Sequence, residues 1–232
     1  MIVKNEESVI ARALTSAKDM TGCEAELVVV DTGSTDRTVA IAEELGAKVF
    51  HFTWINDFSA ARNHAFACAT GTWMMVLDAD EELTLEFREH AFALLHETDA
   101  HGFRMPVIGV GDTGIKQMTL MSTRLVRSGH GYGYEGRVHE DVTPTILRAG
   151  GRMQDTTEVS LVHYGYTAKE TARKDRRGRN VELLEAAHKA SPNEPRYWHY
   201  LGIELRGAGE LQQAAAWFDR VLAKAPHYEL AA

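Results

Sequence analysis

Apolar positions come in short unbroken runs along the first half of the chain, each closed by polar or acidic residues. Residues 27–30 form one such run, ended by Asp31, and residues 73–77 form another, ended by Asp78-Ala79-Asp80-Glu81. Unbroken runs of this length suit strands covered on both faces. Between them the period lengthens. Residues 36–45 predict a helix that stops at Gly46, a C′ position. Residues 48–52 predict a strand that leads into a helix over 58–69. Residues 1–3 read as the stub of a first strand, with Asn5 as the cap of a helix carrying Val9, Ile10, Ala13, Leu14 and Ala17 on one face. This alternation builds a parallel sheet flanked by helices, with its acids gathered at one edge.

The texture changes after Asp80. Thr84 is placed to cap a helix whose apolar positions Leu85, Phe92 and Leu95 run toward His96. Residues 103–110 and 118–126 predict two strands joined by a glycine-rich hairpin connection. Gly129, Gly131, Gly133 and Gly136 predict a mobile loop over 128–136. From Ala168 the pattern is helical and begins with a basic run, Arg173, Lys174, Arg176, Arg177 and Arg179, ending at Asn180. A solvated helix face is its default meaning; neutralising a nucleotide is the other. Trp198, Leu201, Gly202, Gly209, Ala214, Phe218 and Pro226 fall at the spacing of a tetratricopeptide repeat (TPR), about 34 residues long. A single repeat leaves faces uncovered, so it is expected to pack on the preceding helix, on the catalytic domain, or on a second copy of the chain. An ordinary helical hairpin is the alternative.

Composition narrows the classes. The 232 residues, 44% of them apolar, suffice for one sizeable α/β domain and a small appendage. A net charge of −8 argues against a nucleic-acid surface. Cys23 and Cys68 lack metal spacing and read as free thiols of a reducing compartment. No apolar run reaches the roughly 18 residues of a membrane span, and charge arrives at once after Met1, unlike a signal peptide. The expectation is a soluble, cytoplasmic protein.

The candidate chemistry lies at the two strand ends. Asp78 and Asp80 stand two apart, so on extended chain they point the same way and can converge on one cation. All-oxygen ligation suits Mg²⁺ or Mn²⁺, typically held by one or two carboxylates plus substrate phosphates. Open α/β sheets place ligands at this edge. A solvated acidic turn is the plain reading of a lone D-x-D, but Asp31 repeats the pattern.

Four ordered blocks carry a resemblance. Met1-Ile2-Val3-Lys4-Asn5-Glu6-Glu7, Val30-Asp31-Thr32-Gly33-Ser34-Thr35-Asp36-Arg37-Thr38, Asn56-Asp57-Phe58-Ser59-Ala60-Ala61-Arg62-Asn63 and Leu77-Asp78-Ala79-Asp80-Glu81 follow one another. Together they resemble family-two glycosyltransferases of the GT-A fold, in the branch with tetratricopeptide repeats after the catalytic domain. The likeness continues through Gly136-Arg137-Val138-His139-Glu140 and His163-Tyr164-Gly165-Tyr166. Members usually begin several residues earlier, so the first strand looks clipped. The resemblance implies a mostly parallel mixed sheet flanked by helices, a catalytic domain over 1–167, a linking helix over 168–194 and one TPR-like hairpin over 195–232. It further implies inverting transfer of a sugar, a UDP-hexose for preference, to a glycan, lipid-linked or peptide acceptor. A homodimer or a protein partner would use the TPR-like tail.

Residue roles follow from the same resemblance. Asp80 is the expected ligand of Mn²⁺ or Mg²⁺, with Asp78 nearer the ribose or sharing the cation, and His163 completing the shell. Asp31 is expected to accept a hydrogen bond from the base edge, uracil by preference, and Val3 and Asn5 to lie on the nucleotide side. Arg62 is expected to reach base or phosphate; a surface salt bridge to Asp57 is its plainer reading. Displacement with inversion needs a base opposite the leaving group, and Glu140 is the first candidate, Asp141 the second, His139 the third. A cysteine thiol as acceptor would need that base less. The plainer role of Glu140 is to orient His139 or Arg137.

Rival classes fit less well. Aspartyl phosphatases need a small hydroxyl residue where Glu82 stands and a glycine where Glu81 stands. Nucleotidyltransferases need a glycine-rich basic loop where Lys4-Asn5-Glu6-Glu7 stands. A non-catalytic nucleotide-sugar-binding or scaffold protein derived from such an enzyme is the remaining alternative.

Overall fold

The computed structural model describes residues 1–18, 20–96, 98–111, 113–164 and 176–225, except the side chains of residues 117, 176 and 177. Its first third is three strand–helix units: β1 (Ile2–Val3), α1 (Ile10–Lys18), β2 (Val28–Asp31), α2 (Thr38–Glu44), β3 (Lys48–His51) and α3 (Phe58–Cys68). The strands are parallel in the order β1-β2-β3, with Val3 opposite Asp31 and Asp31 opposite His51. Val29 and Val30 are fully buried, as a two-sided strand requires. Ile10 and Leu14 of α1 and Ala42 of α2 close over Val3 and Val29. Gly46 takes φ +83° and its amide donates to the Glu43 carbonyl, so a left-handed residue ends α2 as its sequence implied. Asp57 caps α3, accepting from the Ala60 amide at 3.0 Å.

The pairing changes with β4 (Trp73–Met75). There follow β5 (Glu81–Leu83), α4 (Leu85–His96), β6 (Gly102–Val110), β7 (Lys116–Arg127), α5 (Thr143–Arg148), β8 (Met153–Asp155) and β9 (Leu161–His163). These strands form a second sheet in the order β4-β7-β6-β9-β5, with β8 also on β6. β4–β7, β6–β7 and β5–β9 are antiparallel, while β6–β8 and β6–β9 are parallel. Parallel alternation therefore belongs to the first three strands, and the long β6–β7 hairpin gives the rest its mixed character. Phe87, Phe103, Met105, Leu125 and Leu161 make the core beneath.

Three expectations are corrected. Asn5 caps nothing. It sits at φ +56° and its Oδ1 accepts from the Thr35 amide at 2.7 Å, so it joins the ends of β1 and β2 while α1 starts at Ile10. Thr84 does cap α4 through the Phe87 amide, but the helix buries Phe87 and Ala91; Leu85 is 63% and Phe92 45% exposed. The loop over 128–136 is anchored in its second half. Asn63 of α3 exchanges two hydrogen bonds with the Tyr134 backbone, at 2.7 and 3.0 Å, and Tyr134 is buried.

The tail holds α6 (Arg176–Ala190), α7 (Pro195–Gly207) and α8 (Leu211–Lys224). α7 and α8 form a hairpin that needs glycine at 202, where an added Cβ would stand 2.6 Å from the Phe218 ring. Trp198, Leu201 and Ala214 are buried and Gly209 turns at φ +81°. The hairpin packs on α6 and on the sheet-bearing half, through Leu183, Leu184, Leu201 and Val138, with Trp54 and Phe58 alongside. Gly165, Tyr166, Arg173, Lys174 and Pro226 lie outside the described residues, as do the side chains of Arg176 and Arg177.

Candidate active site

Both strand-end acids sit at the carboxyl edge of their sheets, but only one faces open space. A cavity of about 520 Å³ opens between Val3 and Thr32 on one side, Asp78 and Asp80 below, and Glu140 and His163 across. β5 brings this together. Its pairing with β9 sets Glu81 opposite His163, which carries the imidazole back to the acids. His163 Nε2 lies 3.5 Å from Asp80 Oδ1, and both side chains are largely buried. Burial opposes a charge on His163, yet Asp80 outweighs it and holds the imidazole pKa above its usual value.

Two buried arginines fill the wall between the acids. Arg62 reaches from α3, donating through Nη2 to Asp78 at 2.9 Å and through Nε to Glu140 at 2.5 Å. Arg124 reaches from β7, donating to Glu81 at 2.6 Å, with Asp78 3.6 Å from its other nitrogen. Burial works against both guanidinium charges, but the surrounding carboxylates prevail and keep them protonated. The same arginines pull the Asp78 carboxyl well below the carboxylate range despite its own desolvation. Glu81 is 1% exposed, and burial pushes its carboxyl up to about 7 against the pull of Arg124.

This arrangement sorts the residues proposed from sequence. Asp78, Asp80, Arg62, Glu140, Asp141, His163 and Val3 all line the cavity. Asn5 and Asp31 do not. Asp31 is buried and its carboxylate accepts from the amides of Gly33 and Ser34, at 3.1 and 3.0 Å, so it holds its own turn and presents Thr32 to the cavity. Arg62 pairs with Asp78 and Glu140, not with Asp57, and Glu140 pairs with Arg62 where Arg137 or His139 was considered. Asp141 Oδ1 accepts from both the amide and the hydroxyl of Thr143 at the start of α5.

Three residues on or beside this wall were given no role from sequence: Arg124, Glu81 and Tyr134, which surround the acids. Arg179 and Asn180, the end of the basic run, border the cavity from α6. Arg124 left a signal. A cationic side chain immediately before the apolar pair Leu125-Val126, inside a strand, implies a buried anion opposite.

A carboxylate and an imidazole at this separation fit a divalent cation that takes further ligands from phosphate oxygens. Asp78 is committed to the arginines. Among the described residues no three ligating side chains form a ready-made cluster.

Residues 1–153 match the profile of the family described as Glycosyl transferase family 2. A TPR repeat-containing protein of Synechococcus elongatus is 34% identical over 229 residues, 96% of this chain and 55% of that protein. The SPbeta prophage-derived glycosyltransferase SunS of Bacillus subtilis is 27% identical over 207 residues, 88% of this chain and 48% of SunS. The chain thus spans about half the length of these curated relatives. S. aureus TarS 1–349, solved in complex with UDP-GlcNAc, superposes with a TM-score of 0.60 at 19% identity, covering 99% of this chain and 75% of TarS 1–349. The mannosyltransferase PcManGT from Pyrobaculum calidifontis, solved with GDP-Man and Mn²⁺, gives 0.57 at 19% identity over 99% of this chain and 74% of its own. Those likenesses establish the GT-A α/β fold. With the profile covering more than half of its length, the chain belongs to glycosyl transferase family 2.

Proposed function

We propose that this chain transfers a hexose from a nucleoside diphosphate donor, UDP before other nucleotides, to a glycan, lipid-linked or peptide acceptor with inversion, and that it needs a divalent cation. The observation that carries this reading is the meeting of Asp80 and His163 on one wall of the cavity, with Glu140 on another and Arg62 between. Asp80 and His163 would hold Mn²⁺ or Mg²⁺, which supplies Lewis-acid stabilisation of the departing diphosphate. His163 would ligate as the neutral imidazole. TarS with UDP-GlcNAc, and PcManGT with GDP-Man and Mn²⁺, support the donor class and the metal.

Side chains of the chain itself do the rest. Arg62 and Arg124 offer fixed guanidinium charges to a diphosphate in a site shielded from water. Asp78 keeps both in place. Val3 and Thr32 frame the nucleotide side, with Asn5 and Asp31 holding the turn behind them. Glu140, held at the cavity wall by Arg62, takes the acceptor's proton. Asp141, already bound to Thr143, is the weaker base. The α7–α8 pair acts as a TPR-like hairpin joined to the catalytic domain through α6.

A screen of nucleotide-sugar hydrolysis tests this reading. One UDP-hexose is expected to be cleaved in Mn²⁺ and spared in chelator. Cleavage of no donor, or cleavage indifferent to chelator, contradicts it.

A further inference from the structure

Glu140 follows two residues with left-handed backbone, Gly136 at φ +98° and His139 at φ +52°. Glycine adopts that region freely, but a residue with a Cβ is strained there and needs outside support. The helical tail supplies it. The His139 imidazole stacks on Tyr200 of α7, with ring centroids 4.0 Å apart and planes 9° from parallel. Its Nε2 lies 3.6 Å from Oε1 of Glu204, too far for a hydrogen bond, and that oxygen accepts from Asn180 of α6 at 3.1 Å. Arg196 Nη2 donates to the His139 carbonyl, and Arg196 closes over Gly136, where an added Cβ would meet its Cζ at 3.1 Å. On the opposite side α3 holds the same segment: the Phe58 amide donates to the Arg137 carbonyl at 2.9 Å, and Ser59 Oγ to the Gly136 carbonyl at 2.5 Å.

We infer that Tyr200 and Arg196 are positioning residues for Glu140: from the helical hairpin they hold His139 in its left-handed conformation and so keep the Glu140 carboxylate against Arg62. The catalytic consequence rests on the transfer reading above; the clamp itself does not. It makes the hairpin part of the active site, whatever else its outer faces bind.

The test uses the full chain and two readouts: hydrogen exchange of amides 136–141, and transfer with the donor at saturation. Tyr200→Ala is expected to speed exchange in that segment and lower kcat, each about tenfold, with the affinity for UDP and Mn²⁺ unchanged. Tyr200→Phe keeps the stack but loses the hydroxyl's contact with Arg196, and should fall between the parent and Tyr200→Ala in both readouts. Adding His139→Gly to Tyr200→Ala should recover much of kcat, because glycine needs no support at positive φ. If Tyr200→Ala unfolds the chain, Arg196→Met, which loses the carbonyl contact but keeps bulk, decides by the same criteria. Parent-like exchange in the Ala variant overturns the clamp, and faster exchange with parent-like kcat overturns the positioning role. A parent chain that transfers no sugar defeats the transfer reading and the catalytic consequence with it, while the contrast between Ala and Phe in exchange still decides the clamp.

Discussion

Val29-Val30-Asp31 and Val76-Leu77-Asp78 are the same pattern, an apolar run entering an acid at a strand's carboxyl end, and the two turns beyond them have little else in common. After β2 the carboxylate folds back on the Gly33 and Ser34 amides, with His51 of β3 3.5 Å from its Oδ2, and the turn ties onto Asn5 at the end of β1. After β4 the acid meets Arg62 from α3 and Arg124 from β7, while its neighbour Asp80 meets His163 from β9. A strand-end acid is thus only an opportunity. Whether it serves structure or chemistry is decided by what distant parts of the chain bring against it.

The largest effect that sharpens this contrast concerns Glu140. Glu140→Gln should leave donor binding intact and lower transfer by roughly 10²–10⁴-fold. An active Glu140→Gln beside a dead Asp141→Asn would move the base to the residue that now looks committed to Thr143.

Next comes stability. Above about pH 7, where Glu81 is ionised, Arg124→Met leaves its buried carboxylate with the Asp78 amide but without the guanidinium, and loss of one partner of a buried pair costs about 3–5 kcal/mol. The arginine of the first turn, Arg37, forms an exposed pair with Glu44 at 3.2 Å, and Arg37→Met should cost less than about 1 kcal/mol. Urea denaturation of the two variants breaks the comparison if the costs are alike.

The pH dependence of stability follows from Glu81, whose carboxyl stands at about 7 in the fold against 4.5 unfolded. Between those values the folded state keeps a proton that the unfolded state has lost, so stability falls as pH rises. Asp78 has the opposite sign, its contribution being lost only as pH drops below the usual carboxylate range. In chelator, from about pH 5 to 6.5, the urea midpoint should therefore decline with pH, and Glu81→Gln should remove that part of the slope. A slope unchanged in the variant would mean that Arg124 keeps Glu81 ionised.

The smallest effect belongs to the first turn. Asp31→Ala removes two amide contacts, and by analogy with a helix cap it should cost roughly 0.5–2 kcal/mol of stability. Its effect on transfer should be far smaller than that of Glu140→Gln. A loss as large as that of Glu140→Gln would return Asp31 to direct donor contact.

What the sequence disclosed is local. The strand–helix units through Cys68 were legible because their apolar runs and the Gly46 stop act within a few residues. Gly202 and Trp198 marked the hairpin for the same reason. β5 was not legible, since Glu81 and Glu82 spoil any apolar pattern, and the strand exists through its pairing with β9. Its absence hid the route by which His163 reaches Asp80. The buried face of α4 was legible only in part: Leu95 packs on the core with Phe87 and Ala91, while Leu85 and Phe92, which fit a helical period equally well, are exposed. The anchoring of 128–136 by Asn63 is a long-range hydrogen-bond exchange that glycine content cannot reveal.

Calorimetric titration of UDP into the full chain, in Mn²⁺ and in chelator, for the parent and Asp80→Ala, tests the central claim most directly. Mn²⁺ should tighten UDP binding by about tenfold or more in the parent and by nothing in the variant. UDP affinity that ignores Mn²⁺, or a metal effect that survives Asp80→Ala, would contradict a cation held by Asp80 and His163.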